Sequence, residues 1–163
     1  MNKTKAKELE QYVKERKIFI DTCSILHPKI EDFWEVITPL LKKHKKKVFV
    51  ASAIYRELEK HANNKSDAHL SRNARRCLAM INRLLEDDVI EIRGEKDEVF
   101  ADNVFLYVFT KFRLTYKLLL ITQDRALARD IDSLNLQESV KNGKSIYVKR
   151  LNNKAQLEDI NFS

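Results

Sequence analysis

Short apolar runs that alternate with amphipathic helical patterns constrain the fold of this chain more than any other feature. The runs are three or four residues long and lie at 17–20, 48–51, 89–92, 118–121 and 146–148. Helical spacing of apolar residues predicts helices at about 32–46, 67–86, 101–115 and 124–133. Another helix is expected after residue 51, with Ser52 as its cap. This alternation predicts an α/β fold, a three-layer α/β/α sandwich with a central parallel sheet of about five strands.

The length of 163 residues fits one domain. Residues 1–16 form a lysine-rich extension, which we expect to be a charged helix with Leu9, Tyr12 and Val13 as its apolar stripe. The domain itself then spans 17–150, and 151–163 form a C-terminal tail. The chain has only two glycines and lacks both G-x-G-x-x-G and G-x-x-x-x-G-K-[ST], which argues against a glycine-cradled nucleotide site.

Cysteine content and hydropathy give expectations about the compartment. Cys23 and Cys77 are too few and too isolated for a disulfide framework or a zinc site, which favours two reduced thiols. The first 16 residues contain no apolar leader segment, and no apolar stretch approaches the roughly 20 residues that span a bilayer. We therefore expect a cytoplasmic protein without a membrane partner.

The net charge of +7 favours a polyanionic partner such as nucleic acid. Part of the excess is local, because five lysines and one histidine occupy residues 42–47. Such a run is typical either of a solvated helix end or of a patch that contacts phosphates, and we favour the first interpretation. Charge alone therefore indicates a class of partner and not a binding site.

Four acidic residues stand at corresponding places along the chain. Asp21 directly follows the first strand, Glu57 lies in the second turn of the helix after the second strand, Asp102 opens the helix after the third, and Asp124 follows the fourth. All four are expected at the carboxyl edge of a parallel sheet, where such folds bind ligands. Asp102 and Asp124 could equally be helix N-caps, and Glu57 taken alone could be an ordinary exposed glutamate. Asp21, at the end of a buried strand, needs hydrogen bonds or a cation to compensate its charge.

Clustered carboxylates repel one another unless a cation lies among them. A set of oxygen ligands suits Mg²⁺ or Mn²⁺ better than zinc. Such ions activate water and polarise phosphoryl oxygens. An acidic pocket on a basic protein is therefore consistent with hydrolysis of a phosphodiester, because the basic surface would hold the polyanion and the acidic pocket the metal.

Four segments carry a resemblance to a known family: IFIDTCSIL at 18–26, YREL at 55–58, AD at 101–102 and LITQD at 120–124. In this order, over residues 17–150, they resemble the PIN-domain ribonucleases. The resemblance implies a PIN-like fold and a metal-dependent endoribonuclease that uses Mg²⁺ or Mn²⁺. Asp21, Glu57, Asp102 and Asp124 would then bind one or two ions. The supporting residues Thr22, Ser24 and Thr122 would orient the carboxylates or a water on the ion, although turn capping explains them almost equally well.

Several alternatives stay open. A PIN-like protein that binds RNA without cutting it is the main rival, while a haloacid-dehalogenase-type hydrolase would need an acid where Cys23 stands. Arg72, Arg75 and Arg76 either hold substrate phosphates or form a solvated helix face. Within the family, the protein could be a toxin with an antitoxin protein as its partner, or an RNA-processing nuclease. The resemblance also suggests that the chain could pair with a second copy of itself as a homodimer. The RNA substrate could be single-stranded or structured.

Overall fold

The computed structural model describes residues 3–94, 101–136 and 145–162, with the side chains of all of these except 101–104. Within them, one sheet contains six strands: β1 Lys17–Ile20, β2 Val48–Ala51, β3 Ile90–Arg93, β4 Leu118–Ile121, β5 Ile146–Leu151 and β6 Leu157–Asp159. The α-helices are α1 Lys3–Glu15, α2 Thr22–Ile25, α3 Ile30–His44, α4 Ser52–Ala62, α5 Ala68–Glu86, α6 Ala101–Phe112 and α7 Arg125–Asp132, and a 3₁₀ turn follows at Ser133–Leu136. The predicted α/β class is confirmed.

The sheet has the order β3-β2-β1-β4-β5-β6. Strands β1 to β5 are parallel, and β6 is antiparallel to β5. The chain builds outward from β1 to β3 and then crosses back to place β4 on the other side of β1. Right-handed crossovers in opposite directions put their helices on opposite faces of a sheet. Helix α1 packs on α3 and α6 packs on α7, which gives the three-layer arrangement.

The central strands are covered on both faces, which explains their continuous apolar sequences. All four residues of β4 are inaccessible to solvent. On one face, the ring of Phe19 stacks on Phe49 at 5.1 Å between centroids and meets the edge of Phe109 on α6 at 5.0 Å. Doubly covered parallel strands lose the polar alternation of half-exposed ones, as observed here.

Helix α1 belongs to this packed structure. Its predicted apolar stripe of Leu9, Tyr12 and Val13 is buried. Glu10 on the same helix accepts hydrogen bonds from Lys43 Nζ at 2.9 Å and pairs with His44 Nε2 at 2.8 Å, both at the end of α3. The N-terminal extension is therefore docked onto the helical layer that contains α3.

Some element boundaries differ from the sequence prediction. β3 is shifted by one residue from the predicted 89–92, and α6 ends at residue 112 and not at 115. The prediction that Ser52 caps the next helix is wrong: Ser52 is the first helical residue, and Ala51 occupies the N-cap without a side-chain hydrogen bond. The helix α2 and the edge strand β6 were not predicted. Among the described residues, no helix combines the length and apolar character that crossing a membrane requires.

Candidate functional site

The carboxyl ends of β1 and β4 form the centre of the candidate site. These strands are neighbours, and the crossovers leave them in opposite directions, so a crevice is expected between them at this edge. Ile20 of β1 is in register with Ile121 of β4. The backbone N–H of Asp21 donates to the Ile121 carbonyl at 3.1 Å. The segments that carry two of the four predicted acids therefore start side by side.

Asp21 is a buried carboxylate that accepts hydrogen bonds from a backbone N–H and from a side-chain hydroxyl. Its side chain is at the N-cap of α2, and the residue is only 4% exposed. Its Oδ1 accepts a hydrogen bond from the backbone N–H of Ser24 at 2.9 Å, and its Oδ2 accepts one from the hydroxyl of Thr122. These donors compensate part of the cost of burying a charge at the end of a strand.

Thr122 connects the two acids. Its hydroxyl donates to Asp21 and accepts a hydrogen bond from the backbone N–H of Asp124 at 3.0 Å. The residue is completely buried, so this hydroxyl exchanges neither partner for water. Thr122 therefore fixes the position of the β4–α7 turn relative to the carboxylate that follows β1.

Asp124 is half-buried and is the N-cap of α7. Its Oδ1 accepts a hydrogen bond from the backbone N–H of Leu127 at 3.1 Å. Within the described residues, Oδ2 of this carboxylate has no hydrogen-bond partner. Asp124 is thus a helix cap that keeps one oxygen available for a further ligand.

Gln123 is a positioning residue that we did not identify from the sequence. Its amide forms two hydrogen bonds with the backbone of Leu151 on β5: Nε2 donates to the carbonyl at 2.9 Å, and Oε1 accepts from the N–H at 2.7 Å. This pair anchors the turn between Thr122 and Asp124 to the next strand. The contact depends on β5 lying beside β4, which no local sequence signal reveals.

Glu57 and Asp102 lie on elements that adjoin this centre. Glu57 is half-buried on α4, which packs against α2 and α6. Asp102 is in the first turn of α6, but its side chain lies outside the described residues. Among the side chains that the structure does describe, no three acids, histidines or cysteines are close enough to share a metal ion. Asp21, Glu57 and Asp124 are therefore not a preformed triple ligand set.

The predicted supporting residues have different surroundings. Thr22 and Ser24 on α2 are buried, and their hydroxyl oxygens have no hydrogen-bond partner among the residues that the structure describes. Ser24 contacts Asp21 through its backbone N–H and not through its hydroxyl. These two buried oxygens, together with Asp21, are the kind of hard ligand atoms that Mg²⁺ and Mn²⁺ prefer. The donor chemistry of this turn therefore fits a divalent cation.

Basic and imidazole side chains lie near the same edge. Burial lowers the pKa of His27, and the positive charges of Arg150 and Lys29 lower it further. The predicted substrate-binding residues Arg72, Arg75 and Arg76 are exposed on α5. Arg76 donates to Asn73 Oδ1 at 2.7 Å, and its Nε lies 3.9 Å from Glu31 Oε1. The α5 cations are therefore accessible to a substrate.

Comparison of the chain with protein-family models and with curated proteins found no match.

Proposed function

We propose that the protein is a metal-dependent endoribonuclease that hydrolyses RNA phosphodiester bonds at the carboxyl edge of its sheet. The observation that carries this proposal is the hydrogen-bonded series Asp21–Thr122–Asp124, which joins two acids across the neighbouring ends of β1 and β4. The resemblance of the four acidic motifs to PIN-domain ribonucleases supports the same assignment. Two free cysteines favour a reducing compartment, and we place the protein in the cytoplasm.

The side chains fit a magnesium or manganese site that is completed by substrate. Mg²⁺ is commonly held by one or two carboxylates, with waters and substrate phosphates as its other ligands, so three converging acids are not required. Asp21 and the uncommitted oxygen of Asp124 would supply the protein ligands, and Glu57 and Asp102 would lie around them. A bound ion would polarise the scissile phosphate and make a water more acidic.

Other residues at this edge would position the acids or attract the RNA. Thr122 would position the carboxylate of Asp21 relative to the turn that carries Asp124. The exposed arginines of α5, Arg72 and Arg75, would hold flanking phosphates. The net charge of +7 attracts RNA towards an edge whose acids would otherwise repel it.

A non-catalytic RNA-binding scaffold is the second candidate. It is favoured by one observation: Asp21 and Asp124 both cap helices, and a structural role accounts for a capping aspartate without any metal. The experiment must therefore separate the capping role of each aspartate from its charge. Asparagine does so, because it caps a helix about as well as aspartate and is a much weaker metal ligand.

The decisive measurement is cleavage of end-labelled RNA, single-stranded and hairpin, with Mn²⁺, Mg²⁺ or EDTA. We compare Asp21→Asn and Asp124→Asn with Asp67→Asn, a matched control in which an exposed aspartate caps α5 by accepting from Leu70 N–H at 3.0 Å. We expect cleavage that EDTA abolishes, a loss of at least about 100-fold in both site variants, and wild-type activity in the control.

Equal cleavage by Asp124→Asn and wild type would contradict the proposed metal role of Asp124. Salt-sensitive RNA binding by every variant, with no cleavage of either RNA under any metal condition, would favour the scaffold. Thermal unfolding of the three variants checks that each remains folded. Asp124→Asn and Asp67→Asn preserve a cap and should melt like wild type. Asp21→Asn preserves its cap but loses the charge-assisted hydrogen bond from Thr122, so a lower melting temperature is expected for that variant, and its cleavage is compared at a temperature where it is folded.

A further inference from the structure

The opposite edge of the sheet contains a second feature that the proposed hydrolysis does not use. At the amino ends of the strands, a cleft of about 360 Å³ is lined by five lysines, at positions 17, 45, 46, 47 and 117. The rings of Phe49 and Tyr116 line the same cleft, with Arg16 and the acids Glu15 and Glu91. We name it the amino-edge cleft. Cations outnumber acids there by six to two.

The strand register explains why lysines that are distant in sequence meet in the cleft. Lys17 is the first residue of β1, Lys47 directly precedes β2, and Lys117 directly precedes β4. β1 pairs with both neighbours in parallel, with Ile18 opposite Val48, and the N–H of Lys17 donates to the Lys117 carbonyl at 2.9 Å. Adjacent strands lie about 4.8 Å apart, so three lysine backbones are side by side.

Only part of this charge is compensated by the protein. Lys47 is paired with Asp88 at 2.7 Å, and Glu91 is paired with Arg93 at 3.2 Å. Lys45, Lys46 and Lys117 are exposed, and none of them makes an ion pair with any side chain that the structure describes. Like charges that line one cleft repel each other, and a bound anion reduces that repulsion.

The aromatic rings indicate which anion fits. The Lys17 Nζ lies 4.4 Å from the centroid of the Tyr116 ring and 5.5 Å from that of Phe49, so its charge is held against ring faces. Tyr116 also contacts the ring of Phe112, with 6.0 Å between centroids, but the residue is still 44% exposed, and this exposed part can meet a ligand. Lysines beside an accessible aromatic ring are the combination that binds single-stranded nucleic acid, because phosphates pair with the lysines and a base stacks on the ring. An acidic peptide would leave the ring unused.

We infer that the amino-edge cleft is a binding site for single-stranded RNA, separate from the acidic edge, in which Lys45, Lys46 and Lys117 contact phosphates and Tyr116 stacks on a base. Lys117 and Thr122 are five residue steps apart along an extended strand, a distance of about 17 Å, which keeps the two sites apart. The cleft would anchor a flanking segment of a long RNA. Binding there does not depend on hydrolysis, so it can be tested whether or not the protein cuts RNA.

The test is fluorescence anisotropy of a labelled oligouridylate of about 16 nucleotides, titrated in EDTA over a range of salt concentrations. The cleft variant carries Lys45→Ala, Lys46→Ala and Lys117→Ala. The control variant carries Lys3→Ala, Lys7→Ala and Lys154→Ala, three exposed lysines outside the cleft, so both lose the same charge. We expect the cleft variant alone to bind at least about tenfold more weakly, with a salt slope reduced by about two.

A second pair of variants tests the ring. Tyr116→Phe keeps the stacking surface and should bind like wild type, whereas Tyr116→Ala should bind at least about fivefold more weakly. Polyglutamate of equal charge should compete poorly with the oligouridylate.

Identical affinities and salt slopes for the cleft and control variants would overturn the inference. Equal competition by polyglutamate would show that the cleft attracts any polyanion, and the assignment to RNA would then be wrong. Wild-type cleavage with unaffected binding in the cleft variant refutes only this inference. If the cleft variant binds RNA more weakly than wild type and neither protein cuts RNA, this inference is supported and only the proposed hydrolysis is refuted.

Discussion

Replacing Thr122 by valine tests the connection between the two acids directly. Valine has nearly the same shape as threonine, so no cavity forms, but the hydroxyl and both of its hydrogen bonds are lost. The bond donated to the Asp21 carboxylate is charge-assisted, worth about 1.5–3 kcal/mol, and the bond accepted from the Asp124 N–H is worth about 0.5–1.5 kcal/mol. Thr122 is completely buried, so water does not replace either bond. We expect the free energy of unfolding to fall by about 2–4 kcal/mol.

Urea and thermal unfolding measure this loss, which corresponds to a decrease in Tm of about 6–12 °C in a domain of this size. The matched control is Thr110→Val on α6, where an exposed hydroxyl bonds to the Leu106 carbonyl at 2.7 Å and the expected change is within about 0.5 kcal/mol. If the two valine variants are equally stable, the Thr122 hydroxyl does not join the two acids. If the proposed nuclease activity is correct, Thr122→Val also lowers cleavage, because Asp21 loses its positioning donor.

Three further predictions concern packing and titration. Hydrogen bonds from Lys43 and then from His44 lower the pKa of Glu10 from its ordinary 4.5 to about 2. The ionised Glu10 carboxylate therefore stabilises the fold fully above about pH 4.5, and this stabilisation is lost as the pH falls towards 2. The difference in urea midpoint between wild type and Glu10→Gln should therefore shrink over that interval, and a constant difference would contradict this assignment. Burial raises the pKa of Cys77 to about 11, whereas Cys23 is exposed. Ellman's reagent near pH 8 should therefore modify Cys23 in the native protein and Cys77 only after unfolding. Equal modification rates of the two thiols in the native protein, measured by mass spectrometry, would refute this. Arg16→Lys should cost about 1–3 kcal/mol in chemical unfolding. The ammonium of lysine cannot reproduce the planar stacking of the guanidinium on the Tyr147 ring at 3.4 Å while it also donates to the carbonyls of Leu118 and Ser145, and an unchanged midpoint would exclude this role.

The sequence predicted most of the fold because most of its elements have a local signal. β1, β2 and β4 were predicted at their observed bounds, since a buried strand requires an unbroken apolar run. β6 has no such signal: Leu157–Asp159 is short and partly acidic, and it is a strand because it pairs with the edge of β5. Helix α2 is similarly short, and it depends on the cap that Asp21 supplies.

The candidate site was partly predictable for the same reason. The chain direction of parallel strands places Asp21 and Asp124 at one edge whatever the strand order is. Their connection through Thr122 needs β1 beside β4, which is a contact between residues 101 positions apart. The role of Gln123 also depends on a neighbouring strand. No local pattern encodes which strands become neighbours.

By itself, the sequence determined the alternation of strands and helices, the edge to which each acid belongs, and the apolar stripe of α1. These properties follow from periodicity and chain direction, which are local. Only the tertiary structure decided that two acids are joined by one buried hydroxyl and that lysines 17, 47 and 117 lie side by side at the other edge. The physical reason is that strand order and register are set by the packing of the whole core, and these long-range contacts bring together residues that are far apart in the chain.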